Sequence, residues 1–130
     1  MEKQCVAVAG ISEVLEATKV PLSPAVRAGD FVFVSGMPPL DPEAKKMVQG
    51  DIVAQTEQVL ENVKACLEAA GSSLGKVVKC TVYIANSGYF DTVNEVYARY
   101  FPHDPPARTF ATVGSWPWAF DIEIECIAVA

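Results

Sequence analysis

Arg108 follows Pro105-Pro106-Ala107 and opens an expected strand, and Glu123 interrupts an otherwise apolar run near the end of the chain. A guanidinium stays charged and offers a planar fork of donors that matches a carboxylate. Arg108 therefore reads either as an anchor for a carboxylate ligand or as half of a surface ion pair. Glu123, if its sheet face is covered, needs a partner, or desolvation raises its pKa. Glu125 shares that face, and pattern alone does not separate the two glutamates. Asn94 lies on the apolar stripe of an expected helix, about 40° around the axis from Phe90. A buried amide there must be hydrogen-bonded, either by locking a neighbouring loop or by meeting a ligand.

Other reactive residue types are sparse. His103 is the single histidine and falls in a proline-rich loop after a helix, where solvation or a helix C-terminal role suffices. Cys80 and Cys126 fall on apolar strand faces and read as core. Trp116 and Trp118 occupy the last connection, where they can staple a hairpin, line an interface or wall a pocket. No Ser-His-Asp pattern, phosphate loop, G-x-G-x-x-G or H-E-x-x-H occurs. Acid–base chemistry thus falls to carboxylates, tyrosine, cysteine or water. Cys5, Cys66, Cys80 and Cys126 have no C-x-x-C spacing, so no metal site is expected.

These residues must be positioned by one domain, expected over 1–130. The chain has 130 residues, 51% of them hydrophobic, and a net charge of −6. This acidic balance argues against a nucleic-acid partner, which needs a basic face. No run of about 20 apolar residues is present to span a membrane. No signal peptide is evident, so a cytoplasmic protein with reduced thiols is expected.

Phe31-Val32-Phe33-Val34 reads as a strand buried on both faces, with weaker strands at Cys5–Val8 and Ala25–Arg27. Helical spacing runs from Asp51 to Ala70, with Gly71 as its stop. Val77–Ile84 alternates as a strand, and Phe90–Phe101 forms a second helix ended by Pro102. Ala107–Val113 and Asp121–Val129 read as strands joined by Gly114–Phe120. The order suggests an α+β sandwich with two helices on one sheet face. The other face also carries apolar residues, so a second subunit is its expected cover.

At this point the chain resembles the RidA/YjgF family of reactive intermediate (imine/enamine) deaminases. The resemblance rests on Ala25-Val26-Arg27-Ala28-Gly29-Asp30, then Phe33-Val34-Ser35-Gly36, and on Gln58 through Asn62-Val63 with Leu67-Glu68-Ala69-Ala70-Gly71. It continues through Val77–Tyr83, Phe90–Tyr97, Pro106-Ala107-Arg108-Thr109 and Ile122–Ala128. It implies a chorismate-mutase-like fold of about six mostly antiparallel strands, and a homotrimer with ligand clefts between subunits. It also implies that Arg108 holds a substrate carboxylate and Glu123 activates water. Ser35, Gly36, Asn94 and Thr109 would line the cleft, with backbone groups near Ser35 and Thr109 stabilising charge. No metal, nucleophile or cofactor is implied.

Two positions depart from the family pattern. Leu22 stands where relatives often have tyrosine, and Phe110 where many have cysteine. Both would line the substrate site and make it more apolar or differently shaped. The reaction implied is hydrolysis of a 2-imino or 2-enamino acid to a keto acid and ammonia. Two alternatives are a specialist for a larger substrate such as 2-aminomuconate, and a non-catalytic trimer that binds small carboxylates.

Overall fold

The computed structural model describes residues 1–130 as an α+β arrangement. In chain order its elements are β1 (Lys3–Val6), α1 (Ile11–Thr18), β2 (Ala25–Ala28), β3 (Phe31–Met37), β4 (Leu40–Asp41) and β5 (Lys46–Met47). There follow α2 (Ile52–Ala69), β6 (Val77–Ile84), α3 (Phe90–Tyr100), β7 (Ala107–Thr112) and β8 (Ile122–Val129). Six strands form one sheet in the order β1-β2-β3-β8-β6-β7, and β4 and β5 form a small separate hairpin. Every pairing in the large sheet is antiparallel except β6 with β7.

The core lies between one sheet face and the helices α2 and α3. Val32 and Val34, Cys80, Val82 and Ile84, and Ile122, Ile124 and Cys126 project into it from the strands. Val59, Leu60, Val63, Cys66 and Leu67 meet them from α2. Asp51 starts α2 by accepting a hydrogen bond from the Ala54 amide at 2.9 Å, satisfying one of the open donors of the first turn. Gly71 ends it at φ 84°, a left-handed conformation that glycine adopts without steric cost.

Three expectations need correction. The helices number three rather than two, because α1 precedes the sheet. Its apolar residues Ile11, Val14 and Leu15 have helical spacing, but eight residues give a weak periodic signal. Local groups support its start: Ser12 Oγ accepts from the Val8 amide at 2.8 Å, and the Glu13 carboxylate accepts from the Gly10 amide.

Within one chain the strand at Phe31–Val34 is buried on one face only; the other is the face expected to meet a second subunit. Val32 and Val34 are in the core, whereas Phe31 and Phe33 are 45% and 43% exposed on the face away from the helices. Lastly, β7 and β8 form no hairpin. Strand β6 lies between them, so the connection 113–121 crosses an intervening strand. The last two strand signals are adjacent in sequence, and nothing in their pattern reveals that a strand formed earlier takes the place between them.

Candidate active site

Cross-strand partners in a sheet point to the same side, and successive residues of a strand point to opposite sides. Arg108 is in register with Cys80, which pairs in turn with Cys126. Both cysteines are buried beneath the helices, so Arg108 projects on the helix side of edge strand β7. Glu123 is in register with Tyr83, and Tyr83 with Ala111. Glu123 therefore projects from the opposite face, away from α2 and α3. Two strand spacings and three residues of rise put their Cα atoms about 14 Å apart. One protomer cannot bring the two side chains into a single site.

Around Arg108 the sequence has placed aromatic rings. Its guanidinium carbon lies 4.9 Å from the centre of the Tyr97 ring, 5.0 Å from Phe110 and 5.9 Å from Phe90. Phe90 and Phe110 meet edge to face at 4.7 Å. Such a cradle orients a planar cation by stacking and cation–π attraction while leaving its donors free. No acidic side chain pairs with Arg108; the ion pair in this chain is Arg99–Glu57 at 3.2 Å. The surface ion-pair reading of Arg108 is therefore set aside. Asn94 sits on the same α3 stripe, between Phe90 and Tyr97. Its Oδ1 is buried without a hydrogen-bond partner.

Asn94 thus locks no loop through its Oδ1. That role belongs to Asn62, whose Nδ2 donates to the Pro38 carbonyl at 3.0 Å and the Leu40 carbonyl at 2.8 Å. Sequence reasoning missed Asn62, although a buried amide on an apolar helix face is the same signal that singled out Asn94.

Glu123 and Glu125 are separated by their partners. Tyr83 Oη donates to Glu125 Oε1 at 2.7 Å, whereas the Glu123 carboxylate accepts no hydrogen bond from the chain. Glu123 lies against Gly36, where an added Cβ would collide with Oε1. Gly36 belongs to a register shift between Val34 and Met37, where β3 carries an extra residue opposite β8. Burial, followed by the negative charge of Glu125, holds the Glu123 carboxyl above the usual carboxylate range. Upstream, Gln55 fixes the start of β8: its Oε1 accepts from the Asp121 amide at 2.8 Å and its Nε2 donates to Asp121 Oδ2 at 3.1 Å.

The expected site residues thus divide between two faces. Arg108, Phe110 and Asn94 gather on the helix side at the sheet edge. Glu123, Gly36 and Leu22 gather around a cavity of about 530 Å³ that α1 also walls, together with Trp116 and Trp118. The two tryptophans wall this pocket, and Trp116 stacks on Phe120 at 4.6 Å.

Ser35 is committed elsewhere. Its amide donates to the Pro24 carbonyl at 2.9 Å and its hydroxyl to the Ser23 carbonyl at 2.7 Å, so neither is free to stabilise charge on a substrate. The Thr109 hydroxyl accepts from Lys79 Nζ at 2.7 Å, on the face opposite Arg108.

Cys80 and Cys126 are core residues as expected, and burial raises both thiols above their ordinary range. Cys66 is pushed up to about 12 by the same cause. His103 is exposed. No group of three or more histidine, cysteine, aspartate and glutamate side chains is arranged to hold a metal ion. No helix is long and apolar enough to cross a membrane.

A family model described as Endoribonuclease L-PSP matches residues 12–130. A RutC family protein of Pyrococcus horikoshii is 51% identical over 108 residues, which are 83% of this chain and 86% of that protein. The 2-iminobutanoate/2-iminopropanoate deaminase of Mus musculus is 39% identical over 124 residues, 92% of each chain. Among solved structures, RidA of an Antarctic Psychrobacter superposes with a TM-score of 0.81 at 39% identity, covering 85% of this chain and 89% of that one.

Proposed function

The chain belongs to the Endoribonuclease L-PSP, or RidA/YjgF, family, and from that premise we propose that it hydrolyses reactive 2-imino and 2-enamino acids to 2-keto acids and ammonia. The observation that carries this reading is Arg108: a guanidinium oriented by three aromatic rings and paired with no acid of its own chain. Such a group is prepared for an anionic ligand that arrives from outside.

Arg108 holds the substrate carboxylate and fixes the C=N carbon in place. Glu123, which accepts no hydrogen bond from its own chain, takes a proton from water when it is ionised, as the water oxygen bonds to that carbon. The C=N nitrogen takes up the proton, giving a carbinolamine. The C–N bond then breaks as the hydroxyl proton passes through Glu123 to nitrogen, releasing ammonia and leaving the keto acid. An enamine enters the same path after protonation at its β-carbon.

Because Arg108 and Glu123 face opposite sides of one sheet, the proposed site takes Arg108 from one subunit and Glu123 from its neighbour. The helix-free face supports this assembly. Phe31, Phe33 and Val129 are exposed there and form an apolar band suited to burial against another copy. We propose a homotrimer, as the resemblance implies. Despite the family description, a net charge of −6 disfavours ribonuclease activity, which must attract a polyanion.

The test generates imines with an amino-acid oxidase and follows their decay. Wild-type protein is expected to accelerate decay, and Arg108→Ala to lose most of that acceleration. An unchanged rate with Arg108→Ala refutes its role, and no acceleration by the wild type refutes the function.

A further inference from the structure

We propose that the cavity beside Glu123 is the side-chain compartment of this site and that it selects 2-imino acids with bulky apolar side chains; the proposal rests on the deaminase reading above. The reacting carbon of such a substrate is trigonal. Its carboxylate is taken by Arg108 of the neighbouring subunit, and its nitrogen and the attacking water are served by Glu123. The third substituent is the side chain. Glu123 and Gly36 line this cavity and a second one of about 320 Å³ with Tyr83, Val113, Trp116 and Glu125, so a carbon held at that carboxylate has both beside it, and the larger has the more apolar lining.

The lining chemistry indicates what enters. Twelve of its nineteen residues are hydrophobic, including Val14 and Leu15 of α1, Met47 of β5 and both tryptophans of the 113–121 connection. Its polar side chains other than Glu123 are Thr18, Lys45, Lys46 and Gln49, all exposed, so they rim the mouth around an apolar interior. The volume of about 530 Å³ lies in the roughly 300–1,000 Å³ range that encloses sizeable ligands. A methyl or ethyl side chain would leave most of it filled with water.

Exposure points the same way. Trp118 and Leu22 are 50% and 43% exposed, and both line this cavity rather than the apolar band formed by Phe31, Phe33 and Val129. Within one protomer this surface is open to an apolar occupant.

Two measurements on the full chain test this. The first compares hydrolysis of the imines of alanine, leucine and phenylalanine. The second uses the stable keto acids pyruvate, 4-methyl-2-oxopentanoate and phenylpyruvate as binding probes in calorimetry. The larger members should be favoured over the alanine-derived one by at least about tenfold in kcat/KM and in affinity. Trp118→Ala and Val14→Asn should each lower that large-to-small ratio by about fivefold or more.

Equal rates and affinities across the series, or ratios untouched by both variants, overturn the compartment while leaving the deaminase reading intact. Preference for a dicarboxylic enamine over an apolar one of equal length assigns the rim lysines to a second carboxylate and overturns it as well. If no imine is hydrolysed faster, the deaminase reading fails, and the keto-acid affinities still decide the compartment.

Discussion

Arg108 and Glu123 project from opposite faces of the same sheet, with β6 between their strands. If both act on one substrate, they come from different copies of the chain. Mixing then has a defined outcome. Arg108→Ala and Glu123→Gln are each expected to be inactive alone. Co-expressed at equal levels, they form some interfaces with both native residues, and activity returns to about a quarter of wild type. Absence of recovery in verified mixed oligomers would place both residues in one protomer's site and contradict the register. The same assembly should elute near three times 14.0 kDa.

Gly36 makes room for the Glu123 carboxylate. Its backbone is not in the left-handed region, so alanine is tolerated conformationally, yet an added Cβ would strike Oε1. Gly36→Ala should displace the carboxylate and reduce kcat/KM by about 100-fold, the scale of an ångström-sized misplacement. Thermal melting should change little. A fully active, folded variant would show that the Glu123 position is not critical.

Much of this arrangement was legible in the sequence, and the gaps have physical causes. The helix over α2, the strand β6 and the stop at Gly71 follow from local periodicity and backbone freedom. The opposite facing of Arg108 and Glu123 does not, because it depends on register between strands far apart in sequence. The commitment of Ser35 to Ser23 and Pro24 was hidden for the same reason: its partners are set by how β3 meets the preceding loop. The aromatic rings around Arg108 come from α3 and β7 and meet only after folding. The cavity was foreshadowed only by two tryptophans of undecided role, since α1, which supplies one of its walls, is short.

The raised pKa of Glu123 gives a pH signature. Its causes are burial first and the charge of Glu125 second. In the role of proton acceptor proposed for it Glu123 must be ionised, so kcat/KM should fall as pH drops through a value above the ordinary carboxylate range. Glu125→Gln removes the like charge and should move this acid limb to lower pH. A limb that stays in place would show that Glu125 does not tune Glu123.

For stability the sign reverses. A group whose folded pKa is raised supports folding while protonated, below its unfolded pKa, and loses that contribution as pH rises through the folded value. Glu123→Gln should therefore raise Tm at neutral pH and not in acid.

Asn62 carries a stability prediction independent of catalysis. Its amide satisfies two carbonyls of the segment leading into β4, and its Oδ1 accepts from Gln58 Nε2 at 3.0 Å. Asn62→Ala takes this donor from the buried Leu40 carbonyl, while the Pro38 carbonyl keeps the Leu40 amide at 2.8 Å, and should cost about 1–3 kcal/mol in urea unfolding. A loss below about 0.5 kcal/mol, within the range of neutral surface changes, would mean water replaces the amide freely.

The cradle around Arg108 makes arginine and lysine non-equivalent there. Stacking on Tyr97 at 4.9 Å and Phe110 at 5.0 Å suits a flat, delocalised cation, and two parallel donors suit a carboxylate. Arg108→Lys keeps the charge but loses both features, so kcat/KM should fall by about 100-fold. Phe110→Leu removes one stacking face and leaves the fork intact; about a tenfold loss is expected, mainly in KM, because the arginine is less well oriented before substrate binds. If lysine restores near-native activity, charge alone suffices and the aromatic cradle has no role in orienting the substrate.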